Sequence, residues 1–330
     1  MVAMEFFQIQ AMEPIPRQSV PTGDDWFYQI KWDGIRILTF FDGNSIKLRT
    51  KKGFKRTTEY PELNELTKEF GNTTWLLDGE IIVANQTDKS DHPKFITTNE
   101  SCEEVGANFF HVLKRDRTKN PTQKLLKTFP VRYKVFDLLM IDNQWLVNEP
   151  FIKRRELLNK HFNNNKFLQI IRSYSDGLSL FNITSQQNHE GIVAKKSNSI
   201  YHPGKKHSEW FKIKHLKYLQ AYLGGVIVKE NQIKSLLLGQ KSDLADYKLN
   251  YIGRASTGLT QKELNMLKDF AFKNRVSNSP FGNLSKVDLE LADSKESVVF
   301  LSPQLKLQVK YTNWTPGGNL RHPVINGFII

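Results

Sequence analysis

The stretch Lys31-Trp32-Asp33-Gly34-Ile35-Arg36 decides how the rest of the chain is read. It lies between residues 26–31 and 35–41, both of which read as strands, so the lysine stands between a strand and a glycine turn. A carboxylate follows two residues on and an arginine five residues on. That pattern suits a nucleophilic amine facing a phosphate, once low local polarity or nearby cations have removed its proton. Arg36 could hold a phosphate or a ribose hydroxyl. Read blandly, the same residues form a surface hairpin with an ordinary lysine and aspartate.

Working outward, Asp42-Gly43-Asn44 supplies turn chemistry for a hairpin that returns through Ile46 and Leu48. A helix is expected next, capped by Thr57 or Thr58, with Pro61 in its first turn, Leu63, Leu66 and Phe70 at helical spacing, and Gly71 as its stop. Residues 75–83, 131–140, 190–196 and 210–216 read as further strands, and Pro150 to His161 as a helix with Leu157 and Leu158 inward. Near residue 217 the character changes, and Gly224-Gly225 before Val226, Ile227 and Val228 looks like the opening strand of a second unit. There Thr260-Gln261-Lys262-Glu263 is a capping box ahead of Leu264, Leu267 and Ala271. Short strands around one helix suit a small OB-type barrel. The expected architecture is α+β in two domains, 1–217 and 218–330.

Composition narrows the partners. The 330 residues carry 47 Lys plus Arg against 34 Asp plus Glu, a net charge of +13, with 39% hydrophobic residues. That apolar content excludes a disordered chain, and the charge points to an anionic polymer, a phosphorylated ligand or an acidic membrane surface. The excess is local: residues 1–100 sum to −3, 101–217 to +11 and 218–330 to +5. A single cysteine, Cys102, excludes an intramolecular disulfide and every Cys-clustered zinc site. Met1 to Phe7 lacks signal-peptide features and no apolar run reaches bilayer length, so a soluble, cytoplasmic protein without a membrane role is expected.

Other segments join the lysine. Leu77-Asp78-Gly79-Glu80-Ile81 sets two carboxylates at period 2, on one side of a strand. Phe136, in Tyr133-Lys134-Val135-Phe136-Asp137-Leu138-Leu139, sits in a core-like strand where an aromatic is more often packing than a stacking platform. Glu190-Gly191-Ile192-Val193-Ala194-Lys195 has a charge at each end of an apolar strand, and an ion or phosphate could be the partner of either. Trp210-Phe211-Lys212-Ile213-Lys214 puts two ammonium groups on one face, where they repel unless an anion lies between them and would help deprotonate Lys31.

In this order the motifs, with Arg49 before Lys52-Gly53, resemble those of ATP-dependent DNA ligases of bacterial and phage type, including the ligase domain of the bacterial non-homologous end-joining ligase. Tyr201-His202-Pro203-Gly204-Lys205-Lys206, Ile252-Gly253 through Thr260, and Leu320-Arg321-His322-Pro323 fit as well, so the resemblance covers the whole chain. It implies a nucleotidyltransferase (adenylation) domain of antiparallel sheets with flanking helices, then an OB-fold barrel. It also implies ATP as AMP donor, Mg2+ or Mn2+, nicked duplex DNA as partner, a monomer, and a bacterial or phage-infected cell. In the implied reaction Lys31 takes AMP, passes it to a 5′-phosphate, and a 3′-hydroxyl then displaces it. Phe136 would stack on adenine with Ile192 beneath, Gln29 and Ile30 would border the base, and Glu80 would take a ribose hydroxyl. Arg36 and Arg49 would bind ribose and the nick phosphate, Lys212 and Lys214 the α-phosphate, and Glu190 with Asp33 the metal. Lys195 would meet a phosphate or carboxylate.

Two departures accompany the resemblance. Lys206 stands where the family often has arginine, keeping charge but losing the bidentate fork. An Arg-x-Asp-Lys motif that orients pyrophosphate commonly follows the Leu-Arg-His-Pro stretch, whereas this sequence runs to Gly327-Phe328-Ile329-Ile330; the expectation is a minimal ligase whose self-adenylation is slow, uses another residue, or depends on a part outside this sequence. The competing readings are an RNA ligase or capping-type guanylyltransferase, and a non-catalytic OB-type nucleic-acid-binding protein. His202, His207 and His215 could suggest a metal cluster, but scattered basic-loop histidines are more often solvated and no ligand role is assigned to them.

Overall fold

The computed structural model describes residues 8–68, 73–83, 109–241, 248–284 and 295–329. Phe70, Gly71, Cys102 and Met1 to Phe7 lie outside the described residues. The chain divides into two compact units between His215 and Leu216, two residues ahead of the expected boundary.

In the first unit one sheet is built from β3 (Ile35–Phe41), β4 (Ile46–Thr50), β5 (Trp75–Val83), β6 (Val131–Ile141) and β7 (Gln144–Trp145), in the order β4-β3-β5-β6-β7, with β8 (Leu168–Ile170) added in parallel to β6. The Asp42 turn forms as expected: its carboxylate accepts from the Asn44 and Ser45 N–H groups, which closes the β3–β4 hairpin. A second sheet has the order β1-β10-β9-β2, from β1 (Glu13–Pro16), β2 (Trp26–Ile30), β9 (Gly191–Lys196) and β10 (Lys206–Lys214). Period-2 alternation buries Trp26, Tyr28 and Ile30 of β2 against Ile192 and Ala194 of β9 in one core cluster.

The other face of the larger sheet is covered by α1 (Phe109–Asp116), α3 (Phe151–His161) and a short 3-10 helix. Trp75 is fully buried there, 5.4 Å from Phe41 and edge-on to Phe162 at 5.7 Å. Such aromatic pairs add about 0.5–1.5 kcal/mol beyond their buried area. Leu158 of α3 is buried as expected, and Leu157 only half so. α2 (Gln123–Thr128) and α4 (Gly177–Gln186) complete the helices described in this unit.

Two expectations need correction. The segment after β4 is a 3-10 helix over Pro61–Lys68, not an α-helix capped by Thr57 or Thr58. Thr57 Oγ1 instead accepts the Leu48 N–H, because residues 55–57 fold back on β4. The strand expected at 210–216 spans 206–214, since β1 pairs with Lys206 and His207 and, past a register shift, with Phe211 and Lys212.

The second unit is a six-stranded antiparallel sheet with the path β13-β12-β11-β15-β18, formed by β11 (Lys217–Lys229), β12 (Gln232–Lys241), β13 (Leu249–Ala255), β15 (Lys306–Tyr311) and β18 (Val324–Ile329). Its sixth strand, β14 (Glu296–Phe300), pairs with the second half of β11, whose first half pairs with β15. β16 (Asn313–Trp314) and β17 (Leu320–Arg321) form a separate two-stranded ribbon. Leu223, Val226, Leu236, Leu238, Leu307 and Val309 fill the core, closed by Leu267 and Ala271 of α5 (Gln261–Lys273). The Thr260/Glu263 capping box is present at the start of α5. This strand-rich unit is OB-like, and the whole is α+β, as expected. Among the described residues no helix is long and apolar enough to cross a membrane.

Candidate active site

Lys31 follows β2 directly, and its backbone N–H donates to the Gly191 carbonyl at 2.9 Å, fixing it to the start of β9. Two glycines make this close approach possible. Gly191 has φ +144°, and a Cβ there would lie 2.0 Å from the Ile213 carbonyl oxygen; a Cβ on Gly34 would lie 2.2 Å from the Ile81 oxygen.

The amine of Lys31 is not free. It donates to Glu190 Oε2 at 2.5 Å, and Lys214 Nζ reaches Glu190 Oε1 at 2.5 Å, so one carboxylate joins two ammonium groups. Burial pushes the Lys31 ammonium toward neutrality, but attraction from Glu190, Glu80 and Asp33 outweighs it and holds the group above its ordinary value. This corrects the expectation of a deprotonated lysine: the anion that separates the cations is the protein's own Glu190. The same cations hold the Glu190 carboxyl low against its burial. Lys212 is pushed down by burial and by the neighbouring Lys214 and Lys31 ammoniums.

Arg36 and Glu80 face each other across the β3–β5 pairing. Arg36 holds the fully buried Asp78 bidentately, Nε to Oδ1 at 2.9 Å and Nη2 to Oδ2 at 2.5 Å. The Tyr201 hydroxyl donates to Asp78 Oδ2 at 2.7 Å and itself accepts the Met12 N–H at 3.0 Å. Arg36 therefore sits over the Phe136 ring, 5.1 Å from its centroid, braced by a satisfied buried carboxylate. Glu80 is pushed up to about 7 by burial, which attraction from Lys31 and Arg36 only partly offsets, with a smaller upward push from Glu190 and Asp33.

A cavity of about 550 Å³ opens among these residues, with walls from both sheets. Of the expected residues, Gln29, Ile30, Lys31, Arg36, Glu80, Phe136, Lys195 and Lys212 line it. Gln29 is pinned by a 3.0 Å hydrogen bond from its Nε2 to Ser173 Oγ. Lys195 sits among Trp210, Phe136 and Phe151, at 4.0, 4.5 and 4.7 Å from the ring centroids, and burial pushes it down to about 7. Asp33, Glu190 and Lys214 stand beside Lys31 outside this lining. Arg49 is buried on β4 and Lys206 is exposed at the far end of β10; neither lines the cavity.

Ile192 is fully buried in the core, and Val193 lines the cavity instead. The signal was in the sequence, for Lys195 and Ile192 have opposite parity along one strand and cannot face the same space. Glu13 was also missed. It lines the cavity and accepts from Lys51 Nζ at 3.0 Å, brought there by the parallel pairing of β1 with β10, which no local pattern announces.

A cleft between two mainly antiparallel sheets, with a lysine, an arginine and carboxylates around a nucleotide-sized space and an OB-like unit following in the chain, defines a nucleotidyltransferase-type protein. Residues 9–214 match the ATP dependent DNA ligase domain and residues 229–328 the ATP dependent DNA ligase C terminal region, so the chain belongs to the ATP-dependent DNA ligase family. It is 29% identical over 300 residues to the multifunctional non-homologous end joining DNA repair protein LigD of Mycobacterium tuberculosis, covering 90% of this chain and 35% of LigD. It thus spans about a third of that relative's length. The SPbeta prophage-derived DNA ligase-like protein LigB of Bacillus subtilis is 28% identical over 302 residues, covering 91% of each chain. A solved mycobacterial DNA ligase D complexed with ATP and MES matches with a TM-score of 0.54 at 26% identity, covering 98% of this chain and 96% of that one.

Proposed function

We propose that this chain seals nicks in duplex DNA at the expense of ATP, through AMP carried on Lys31. The observation that carries the reading is the placement of Lys31 against Glu190 beside a cavity whose walls include Arg36, Glu80 and Phe136. The first unit serves as the adenylation unit and the second as the OB unit.

In the first step Lys31 Nζ forms a bond to the α-phosphorus as the bond to pyrophosphate breaks, and the amine's proton leaves. Glu190 Oε2, in contact with that amine, is placed to receive it. Lys212 and Lys214 neutralise charge on the α-phosphate, and the Phe136 ring and Val193 enclose the base above and below. Gln29 and Ile30 border the base, Glu80 takes a ribose hydroxyl, and Arg36 presents its guanidinium beside it. AMP then passes to the 5′-phosphate of a nick, and the 3′-hydroxyl displaces it. Each step is an in-line displacement, so the protein's work is positioning and charge neutralisation.

Glu190, Glu80 and Asp33 are carboxylates whose charges all act on Lys31, and all-oxygen donors are the chemistry that a hard divalent cation such as Mg2+ takes. Glu190 and Asp33 would hold it, where it would screen the triphosphate.

The test is incubation with α-labelled ATP or GTP and a divalent cation, followed by nicked DNA or nicked RNA. Wild type is expected to take label from ATP and seal DNA, and Lys31→Ala to take none while keeping its circular dichroism spectrum. Covalent AMP on that variant overturns the assignment of the nucleophile. Label from GTP alone, or sealing of RNA alone, overturns the substrate class.

A further inference from the structure

The loop that leads into β10 gathers a second set of side chains, which nucleotide chemistry does not use. Tyr201-His202-Pro203-Gly204-Lys205 makes a tight turn, with the Lys205 N–H donating to the His202 carbonyl at 3.1 Å and Gly204 at φ +73°. The turn lays His202 over the start of β10, where His207 and Glu209, two residues apart, share one face of the strand. His202 Nε2 is 2.9 Å from Glu209 Oε2, and His207 Nδ1 is 3.4 Å from the same oxygen. The two rings stack with centroids 3.8 Å apart.

As it stands this arrangement is frustrated. His207 Nδ1 accepts the Glu209 backbone N–H at 3.3 Å, so its lone pair is engaged there and it has no proton to offer the Glu209 carboxylate. Two acceptors therefore face each other, and protonating both stacked rings would set like charges side by side. A cation among the three groups satisfies all of them. Their ligand atoms lie within 4.8 Å of one another, and the side chains are 20, 36 and 27% exposed, which leaves the mouth open to water.

We propose that His202, His207 and Glu209 form a divalent transition-metal site, with two imidazole nitrogens and one carboxylate oxygen as ligands and water completing the shell. This borderline donor set suits Zn2+, with Co2+ and Ni2+ as substitutes, whereas Mg2+ favours all-oxygen shells. For both lone pairs to meet one ion the stacked rings must rotate well apart, and His207 Nδ1 must exchange the Glu209 N–H for the metal. The site acts as a clip: it fastens the turn that carries Tyr201, the partner of Asp78 and Arg36, to the strand that carries Trp210 and Lys212 into the cavity wall.

The experiment is calorimetric titration of the chelator-stripped, tag-free full chain with Zn2+ in the presence of Mg2+, with Co2+ absorption reporting ligand geometry. One saturable site of micromolar or tighter affinity is expected, with visible bands of four-coordinate Co2+. Affinity should fall at least about tenfold in His207→Ala and in the isosteric Glu209→Gln, and stay unchanged in His161→Gln on the exposed face of α3. Thermal midpoints of the metal-free variants check that each folds, and Zn2+ should raise the midpoint of wild type and of His161→Gln but much less, or not at all, that of His207→Ala and Glu209→Gln. No saturable binding, binding abolished by Mg2+, or equal affinity in wild type and Glu209→Gln overturns the site.

Discussion

Glu80 carries the residue-scale consequence that is easiest to measure. Its carboxyl is raised from the ordinary 4.5 to about 7, chiefly by burial. Between those values the folded chain keeps a proton that the unfolded chain has released. Its contribution to stability is therefore fully present below about pH 4.5 and is lost as pH rises through about 7. Glu80→Gln mimics the protonated form at every pH. We expect its thermal midpoint to exceed that of wild type near about pH 8 and to converge with it near about pH 5, while label transfer from ATP falls. A difference in midpoint that does not change with pH would refute burial as the cause. Asp78, two residues earlier, shows the alternative solution to the same burial, because Arg36 and Tyr201 satisfy both of its oxygens.

At the scale of elements, strand β9 makes a prediction through its alternation alone. Ile192 faces the core and Val193 the cavity, so truncation to alanine should separate two effects. Ile192→Ala is expected to cost about 2–5 kcal/mol of stability with ATP affinity nearly kept, and Val193→Ala to cost less stability and weaken ATP. Denaturant titration and equilibrium nucleotide binding measure the pair; the reverse pattern would return Ile192 to the base. Much at this scale was legible from sequence, including β3, β5, the Asp42 turn and the Thr260 capping box, because each follows from short-range chemistry. The 3-10 geometry of Pro61–Lys68 was not, since its buried Leu63 and Leu66 suit either helix. Nor was Glu13, which depends on a parallel pairing; His202 and His207 were visible but set aside as solvated with His215, because nothing periodic joins them to Glu209. The order of Lys31, Glu80, Phe136, Glu190 and Lys212 was readable, but the charge state of Lys31 was not. That state depends on where Glu190 points, and only the fold decides it.

Across the whole molecule the proposed function divides the net charge of +13 between two tasks. Lys31, Arg36, Lys212 and Lys214 are proposed to serve the nucleotide, and the remaining excess, most of it in residues 101–217, to meet duplex phosphates. Binding to nicked DNA should weaken linearly in log affinity against log salt, by roughly 0.9 per phosphate contacted, with little dependence on sequence. Fluorescence anisotropy across a salt series tests this, and tight binding that ignored salt would contradict it. The long strand β11 has a consequence of another kind. It is flanked early by β12, but among the described residues its other edge is covered by β14 and β15, whose pairing residues run from Glu296 to Tyr311. On the ribosome that edge, with Leu223 and Val226 behind it, must wait unpaired until those later residues emerge. The second unit is therefore slow to close and vulnerable to self-association while it is being made, and translation speed through residues 230–311 becomes a determinant of its soluble yield.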